Sequence, residues 1–187
     1  MLTIRRGQAF VLIELIIVVV ISAIIATIGV PAYQRFTQNM QARQEIARLK
    51  LVVDFTRNRA VATTSRTTLC PLDSSGQCIN DWNNALSVFN DKNNNRRLDS
   101  DEAQLTSIAA TTDPAILRSF NGSVISFDDR GFAGSHTGSL SYCLQGQITR
   151  GAVFIISRIG RVRAGYDQND DNLPELPDGN NIPCPAG

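Results

Sequence analysis

The sequence predicts an α+β chain: a long N-terminal helix, transmembrane in its first half, packed on an antiparallel β-rich C-terminal domain. Three observations carry that expectation. Residues 10–30 are almost wholly apolar. A stripe of small and apolar residues then continues at helical spacing to about residue 62. Beyond it the chain turns to short β-branched and aromatic runs separated by Gly, Pro, Asn and Asp.

From Phe10 to Val30 only Glu14, Ser22, Thr27 and Gly29 interrupt the apolar residues. At about 1.5 Å per residue, a helix of that length covers about 30 Å, one hydrocarbon thickness. A secretory signal peptide has a shorter apolar region with a small-residue cleavage site after it, and this run does not fit that description. Arg5 and Arg6 precede the run, so the positive-inside rule puts the N-terminus in the cytoplasm and the C-terminal domain outside. Glu14 is the anomaly, because an ionised side chain in hydrocarbon costs roughly 2.5–3.5 kcal/mol even on insertion scales.

Ala42, Ile46, Leu49, Val53, Thr56 and Ala60 repeat at alternating spacings of four and three, one packing stripe on a helix with arginines on its other sides. Strands are expected at Thr67–Cys70, Leu86–Asn90, Gln104–Ile108, Val124–Asp128, Leu140–Leu144, Ala152–Arg158 and Arg161–Ala164, the last two joined by a tight turn at Ile159-Gly160. From Gln168 to Gly187 the chain is acidic and rich in Pro, Asn and Gly, and an irregular tail is expected.

Eighteen basic and seventeen acidic residues give a formal +1, which excludes no partner because binding depends on local patches. One region is unbalanced: Arg35, Arg43, Arg48, Lys50, Arg57, Arg59 and Arg66 face only Glu45 and Asp54. The four cysteines, Cys70, Cys78, Cys143 and Cys184, all follow the apolar run, as suits an oxidising compartment and two disulfides. Four cysteines allow three pairings. The short loop holding Pro71, Ser74, Ser75 and Gly76 favours Cys70–Cys78, which leaves Cys143–Cys184 to tie down the tail; free thiols or a metal site are the alternative.

The N-terminus resembles that of type IV pilins and type II secretion pseudopilins, in which a basic leader precedes a peptidase site and a mature chain reading F-T-L-I-E. Phe10, Val11, Leu12, Ile13 and Glu14 follow that order. The resemblance implies a prepilin leader over residues 1–9, cleavage by the prepilin peptidase between Ala9 and Phe10, and N-methylation of Phe10. The family usually has Gly before the cut; here that position is Ala9, with Gly7 two residues earlier. Pro31 and Tyr33 also fall where pilins carry a proline and an aromatic. The same resemblance gives Glu14 a partner, the free N-terminal amine of a neighbouring subunit, and makes Glu14 and Pro31 assembly residues. An ordinary single-pass anchor with an incidental glutamate is the alternative.

Within the superfamily, "TLCPLDSSGQC", the following Trp, "VFNDKNNNRRLDSDE" and a late "GRVR" are similar to the GspH/FimT group of minor pilins. This implies a leader over 1–9, a pilin helix over 10–62 with 10–30 in the inner membrane, and a periplasmic or extracellular β-rich domain over 63–187. Other pilins of the filament are the implied partners.

Two sets of residues stand out as candidate sites. Gly160-Arg161-Val162-Arg163 puts two arginines on one side of a strand, because alternate strand residues share a face. Arg158 and Arg150 are expected close by, completing a basic edge able to grip phosphates. The motif resembles that of FimT-type minor pilins implicated in DNA uptake, which implies DNA contact by Arg161 and Arg163 after the turn at Gly160. A hairpin with solvated arginines is the alternative. No aromatic is interleaved with these arginines, so no base-stacking platform is expected.

The second set, Asp91, Asn93, Asn95, Asp99 and Glu102, has the spacing of a calcium loop, but Arg96 stands at its turn glycine and Arg97 adds a second positive charge. A loop held by side-chain-to-backbone bonds is favoured over a metal site. Asp167, Asn169, Asp171 and Glu175 repeat the pattern more weakly. No cofactor is expected, and an enzyme is the least favoured class. His136 is the only histidine and sits in a Gly/Ser/Thr loop, and no nucleophile elbow or P-loop is present.

The sequence therefore reads as a minor pilin of the type IV pilus that binds DNA during natural transformation. The alternatives are a purely structural or assembly-priming minor pilin, or a type II secretion minor pseudopilin.

Overall fold

A computed structural model describes residues 7–146 and 148–185, with side chains from Leu12 onward. The leader arginines Arg5 and Arg6 lie outside the described residues, as do the side chains of Ala9 and Phe10. Helix α1 runs Gly7–Thr63, with Pro31 inside it. The chain divides into two compact units, 1–41 and 42–187.

In the first unit every described side chain from Leu12 to Phe36 is exposed. This stretch is long and apolar enough to cross a membrane. A helix suits such a stretch because all its backbone groups bond within the segment. Ser22 Oγ donates to the Val18 carbonyl at 2.7 Å and Thr27 Oγ1 to the Ala23 carbonyl at 3.1 Å, so both hydroxyls are satisfied by the helix itself. Glu14 has no partner among the described residues.

The second unit opens with the rest of α1, whose stripe enters the core. Ala42, Leu49, Val53, Thr56 and Ala60 are all buried, and Ile46 packs against them. Val52 widens the stripe. The helix ends in a Schellman closure: Ser65 N–H donates to the Ala60 carbonyl and Thr64 N–H to the Val61 carbonyl, with Thr64 left-handed at φ 46°.

Two four-stranded antiparallel sheets follow. Strands β1 (Thr67–Pro71), β2 (Leu86–Asn90), β3 (Gln104–Ile108) and β5 (Ile125–Phe127) form one, in the order β3-β2-β1-β5. Strands β4 (Ile116–Phe120), β6 (Gly138–Gln145), β7 (Thr149–Ile156) and β8 (Val162–Ala164) form the other, in the order β4-β6-β7-β8. One buried cluster joins the helix stripe to Leu69, Leu86, Val88, Ile125 and Phe127 of the first sheet and to Leu140, Tyr142, Phe154 and Ile156 of the second. Each such side chain contributes about 1.5–3 kcal/mol relative to exposure.

All seven expected strands are present, β2 and β3 with the expected ends and the other five with shifted ends, and β4 is added. Its inward side carries Arg118, only 4% exposed, between Ile116 and Phe120, so the apolar alternation that marks a strand is broken by a charge. Arg118 acts as a clamp: its Nη2 donates to the carbonyls of Asn83 at 2.7 Å, Asn84 at 3.0 Å and Ala109 at 3.3 Å. Both disulfides are formed, Cys70–Cys78 and Cys143–Cys184. The second fastens the C-terminal segment to β6, so the tail is anchored although it is irregular.

Candidate functional site

Strand β8 lies at an edge of the second sheet, paired only with β7 through Phe154↔Ala164, Ile155↔Arg163 and Ile156↔Val162. The turn feeding it is tightly bonded. Gly160 N–H donates to the Ser157 carbonyl at 2.9 Å, and Ser157 N–H to the Arg161 carbonyl at 3.0 Å. Arg161 N–H completes the turn by donating to Ser157 Oγ at 3.1 Å.

Gly160 is required there twice over. Its φ of 77° is left-handed, and a Cβ at this position would stand 1.8 Å from the Gly131 carbonyl oxygen. Gly131 belongs to a turn built on Asp128, whose Oδ1 accepts the N–H groups of Arg130 at 3.0 Å and Phe132 at 2.8 Å. The Gly131 carbonyl also accepts Arg57 Nε–H from α1 at 3.2 Å. The N–H groups of Ala133 and Gly134 donate to the Arg158 carbonyl at 3.1 and 3.0 Å. The β7–β8 turn is thus fixed to the loop after β5 and, through Gly131, to the helix. Arg57 and Gly131 were not expected as parts of this site; the turn signal in Asp128-Asp129-Arg130-Gly131 was the available clue.

Arg158, Arg161 and Arg163 are exposed, and among the described residues none has a carboxylate within ion-pair distance. Arg161 immediately precedes β8 and Arg163 lies within it, the two exposed residues flanking half-buried Val162. Arg150 does not join them. It sits near the start of β7, opposite Leu144, about 20 Å along the strand from the turn at roughly 3.3 Å per residue. There it lines a separate groove with Asp167 and Asn172. The expectation of one basic edge holding all four arginines is corrected: a strand of this length carries its two ends to opposite margins of the sheet.

Arg163 borders a groove of about 210 Å³ that it shares with Ile155, Tyr166, Gln168 and Glu175. Glu175 is nearly buried and its two carboxylate oxygens accept Gln168 N–H at 2.9 and 3.2 Å. Tyr166 is 69% exposed. A larger groove of about 500 Å³ lies on the same sheet face, floored by Ser119, Ser139, Ser141 and Ile155 and bounded by Leu176 and Pro177.

The Asp91 loop is closed by its own polar groups. Asp91 is buried and accepts Thr68 Oγ1–H at 3.0 Å, Asn95 N–H at 3.0 Å and Arg96 N–H at 3.3 Å. Asp99 Oδ2 accepts the side-chain amides of Asn93 at 2.9 Å and Asn95 at 2.7 Å, which lower its pKa against an opposing effect of burial. Glu102 accepts Lys92 N–H at 2.8 Å and Asp99 N–H at 3.3 Å. Arg96 takes the left-handed conformation, φ 62°, at the turn-glycine position. In the weaker repeat, Asp167 accepts the N–H groups of Asn169, Asp171 and Asn172. Among the described residues no group of three His, Cys, Asp or Glu side chains is arranged to hold a metal ion.

Residues 45–160 match the family model for the type II transport protein GspH. The chain belongs to the GspH family. The match takes in the last third of α1, both sheets up to the turn glycine Gly160, and the Cys70–Cys78 loop. It stops just before Arg161, so the matched region covers the scaffold and Arg158 but not Arg161 or Arg163. No curated protein matches this GspH-family chain significantly. Two crystal forms of the type IV minor pilin FimU of Pseudomonas aeruginosa are similar in structure. One has a TM-score of 0.46 at 17% identity, covering 68% of this chain and 90% of that one. The other has a TM-score of 0.42 at 18% identity, covering 67% and 90%.

Proposed function

We propose that this chain is a minor pilin of a type IV pilus that captures DNA on the β8 edge of its globular unit. The observation that carries the reading is the pair Arg161 and Arg163, exposed and unpaired, held on a turn that is bonded to Ala133 and Gly134 and packed on Gly131. Arg158, at the same turn, adds a third cation to the footprint; Arg150 stays outside it. Guanidinium groups on a rigid edge can pair with phosphate oxygens in fork geometry. Such contacts read charge and backbone rather than base sequence. Two or three of them give weak, salt-sensitive binding, which several subunits along a filament would strengthen through multivalency.

The membrane end supplies the other half of the function. The prepilin peptidase cuts between Ala9 and Phe10, and the new terminus of Phe10 is methylated. Residues 10–30 hold the subunit in the inner membrane with its globular unit in the periplasm until assembly moves it into the pilus. Glu14, alone among the polar side chains of the described apolar stretch in lacking a partner, then pairs with the N-terminal amine of a neighbour. Pro31 belongs to the same assembly face.

A second reading is favoured by the description of the matched family as a type II transport protein: a minor pseudopilin whose partners are other pseudopilins and exported proteins. Deleting the gene separates the readings. Loss of transformation with pili retained supports DNA capture. Loss of pili points to assembly priming, and loss of exoprotein release to secretion.

A further inference from the structure

Arg163 and Tyr166 are three residues apart and line one groove. Tyr166 follows Gly165, whose N–H donates to the Val153 carbonyl at 2.8 Å, and its own carbonyl accepts Glu175 N–H at 3.4 Å. Both sides of the groove are therefore tied to the second sheet, and Cys184 fixes the segment beyond to β6. The ring of Tyr166 is nonetheless the most exposed aromatic described in the 42–187 unit, against 41% for Phe132 and 40% for Phe55. An aromatic left that open on a backbone held that firmly has a face available and little ordering entropy to lose on contact.

From the groove outward the charge is divided. Arg161 and Arg163 carry positive charge along the β8 edge, while Glu175 sits inside as a carboxylate already positioned by Gln168 N–H. A phosphate is attracted to the edge and repelled by the groove floor. A nucleobase has the opposite preference: its π-face fits the Tyr166 ring, and exocyclic amino groups can donate to the free lone pairs of Glu175. Gln168 supplies an amide able both to donate and to accept.

We infer that the groove between Arg163 and Tyr166 receives an unstacked nucleobase, so that the site takes single-stranded DNA in preference to duplex. This rests on the DNA-binding reading above and adds a strand preference to it. In a duplex the bases are stacked and paired, and one reaches Tyr166 only after extrusion, which is costly. A single strand already has its bases free. Sequence alone does not single out Tyr166, because it lies past Gly165, outside the alternation of Arg161 and Arg163, and reaches the groove only through the fold.

The test is fluorescence anisotropy with the full chain in nonionic detergent and three labelled probes: a short single strand, the duplex of the same sequence, and an abasic strand with the same number of phosphates. The single strand should bind more tightly than either of the others. Tyr166→Ala should weaken single-strand binding by roughly 5- to 100-fold and leave the duplex and abasic affinities unchanged, while Tyr166→Phe keeps the preference. Single-strand binding unchanged in Tyr166→Ala, or an equal loss for all three probes, overturns the stacking site. The Arg161→Ala/Arg163→Ala double variant keeps the two proposals apart. If it lowers binding of every probe while Tyr166→Ala changes nothing, only the stacking site fails. If none of the three probes binds the unaltered chain, the DNA reading fails and takes the stacking site with it.

Discussion

Gly160 is packed so closely on the Gly131 carbonyl that a methyl group on its Cα would lie 1.8 Å from the oxygen. The contact joins the turn before β8 to the loop after β5, and the same oxygen accepts Arg57 Nε–H from the helix. Gly160→Ala therefore meets a backbone clash in addition to the penalty for a left-handed non-glycine residue. The expected loss is about 2 kcal/mol or more of unfolding free energy, measured by urea denaturation of the purified chain. Gly134→Ala is the control, because it is also left-handed, at φ 58°, but nothing lies within 4 Å of its added Cβ. It should cost about 1 kcal/mol.

The two disulfides should be unequal. Cys143–Cys184 spans 41 residues and Cys70–Cys78 spans 8. On chain-entropy scaling, the longer loop is worth about 4 kcal/mol and the shorter about 2.5 kcal/mol. Replacing Cys143 and Cys184 by serine should lower the denaturation midpoint more than replacing Cys70 and Cys78, and should free the tail to proteolysis at Asp178–Asn181.

Acid should weaken the fold in two steps. Burial holds the pKa of His136 below its ordinary 6.5, and the charges of Arg96 and Arg66 push it the same way. The unfolded chain then takes up a proton that the folded chain refuses, so stability falls from about pH 6.5 down to the folded pKa. A second loss comes from carboxylates. Asp73 is lowered from 3.8 chiefly by the Ser75 hydroxyl and Gln77 N–H. For Asp128, burial works to raise the pKa but is outweighed by hydrogen bonds from Phe132 N–H and Arg130 N–H. The stabilisation these groups give is complete above pH 3.8 and is lost as pH falls through their folded values. A urea-midpoint profile against pH should show both steps, and His136→Gln should remove the first alone.

Glu14→Ala tests the anchor. The variant removes a carboxylate that costs roughly 2.5–3.5 kcal/mol in hydrocarbon, so it should remain in the membrane and still be cleaved. Without the attraction to a neighbour's terminal amine it should be absent from sheared filaments, as read by immunoblot. Normal incorporation contradicts the assembly role given to Glu14.

Much of the fold was legible in the residues. The stripe from Ala42 to Ala60 is buried as its spacing required, and the β2 and β3 boundaries agree with the expected ones. β4 was hidden because its inward Arg118 is held by hydrogen bonds to carbonyls of distant segments, Asn83, Asn84 and Ala109, which no local pattern reveals. The candidate site was legible only where it is local. Gly160, Arg161 and Arg163 announce a turn and a strand edge by themselves. That Gly131 and Arg57 brace the turn, that Arg150 is carried to the other end of β7, and that Tyr166 faces the Arg163 groove all follow from strand register and tail path. These are long-range facts, and a single sequence does not contain them in readable form.

The proposed hold of Arg161 and Arg163 on DNA phosphates is tested by a salt titration of DNA affinity. The full chain and its Arg161→Ala/Arg163→Ala variant are compared in nonionic detergent, with equal circular dichroism as the check on folding. Each phosphate contact contributes about −0.9 to the slope of log K against log salt on B-DNA and about −0.7 on a single strand. Phosphate contact by both arginines gives a shallower slope in the variant, by between about 1.4 and 1.8, together with a large loss of affinity at low salt. Equal slopes and equal affinities in the two proteins would contradict it.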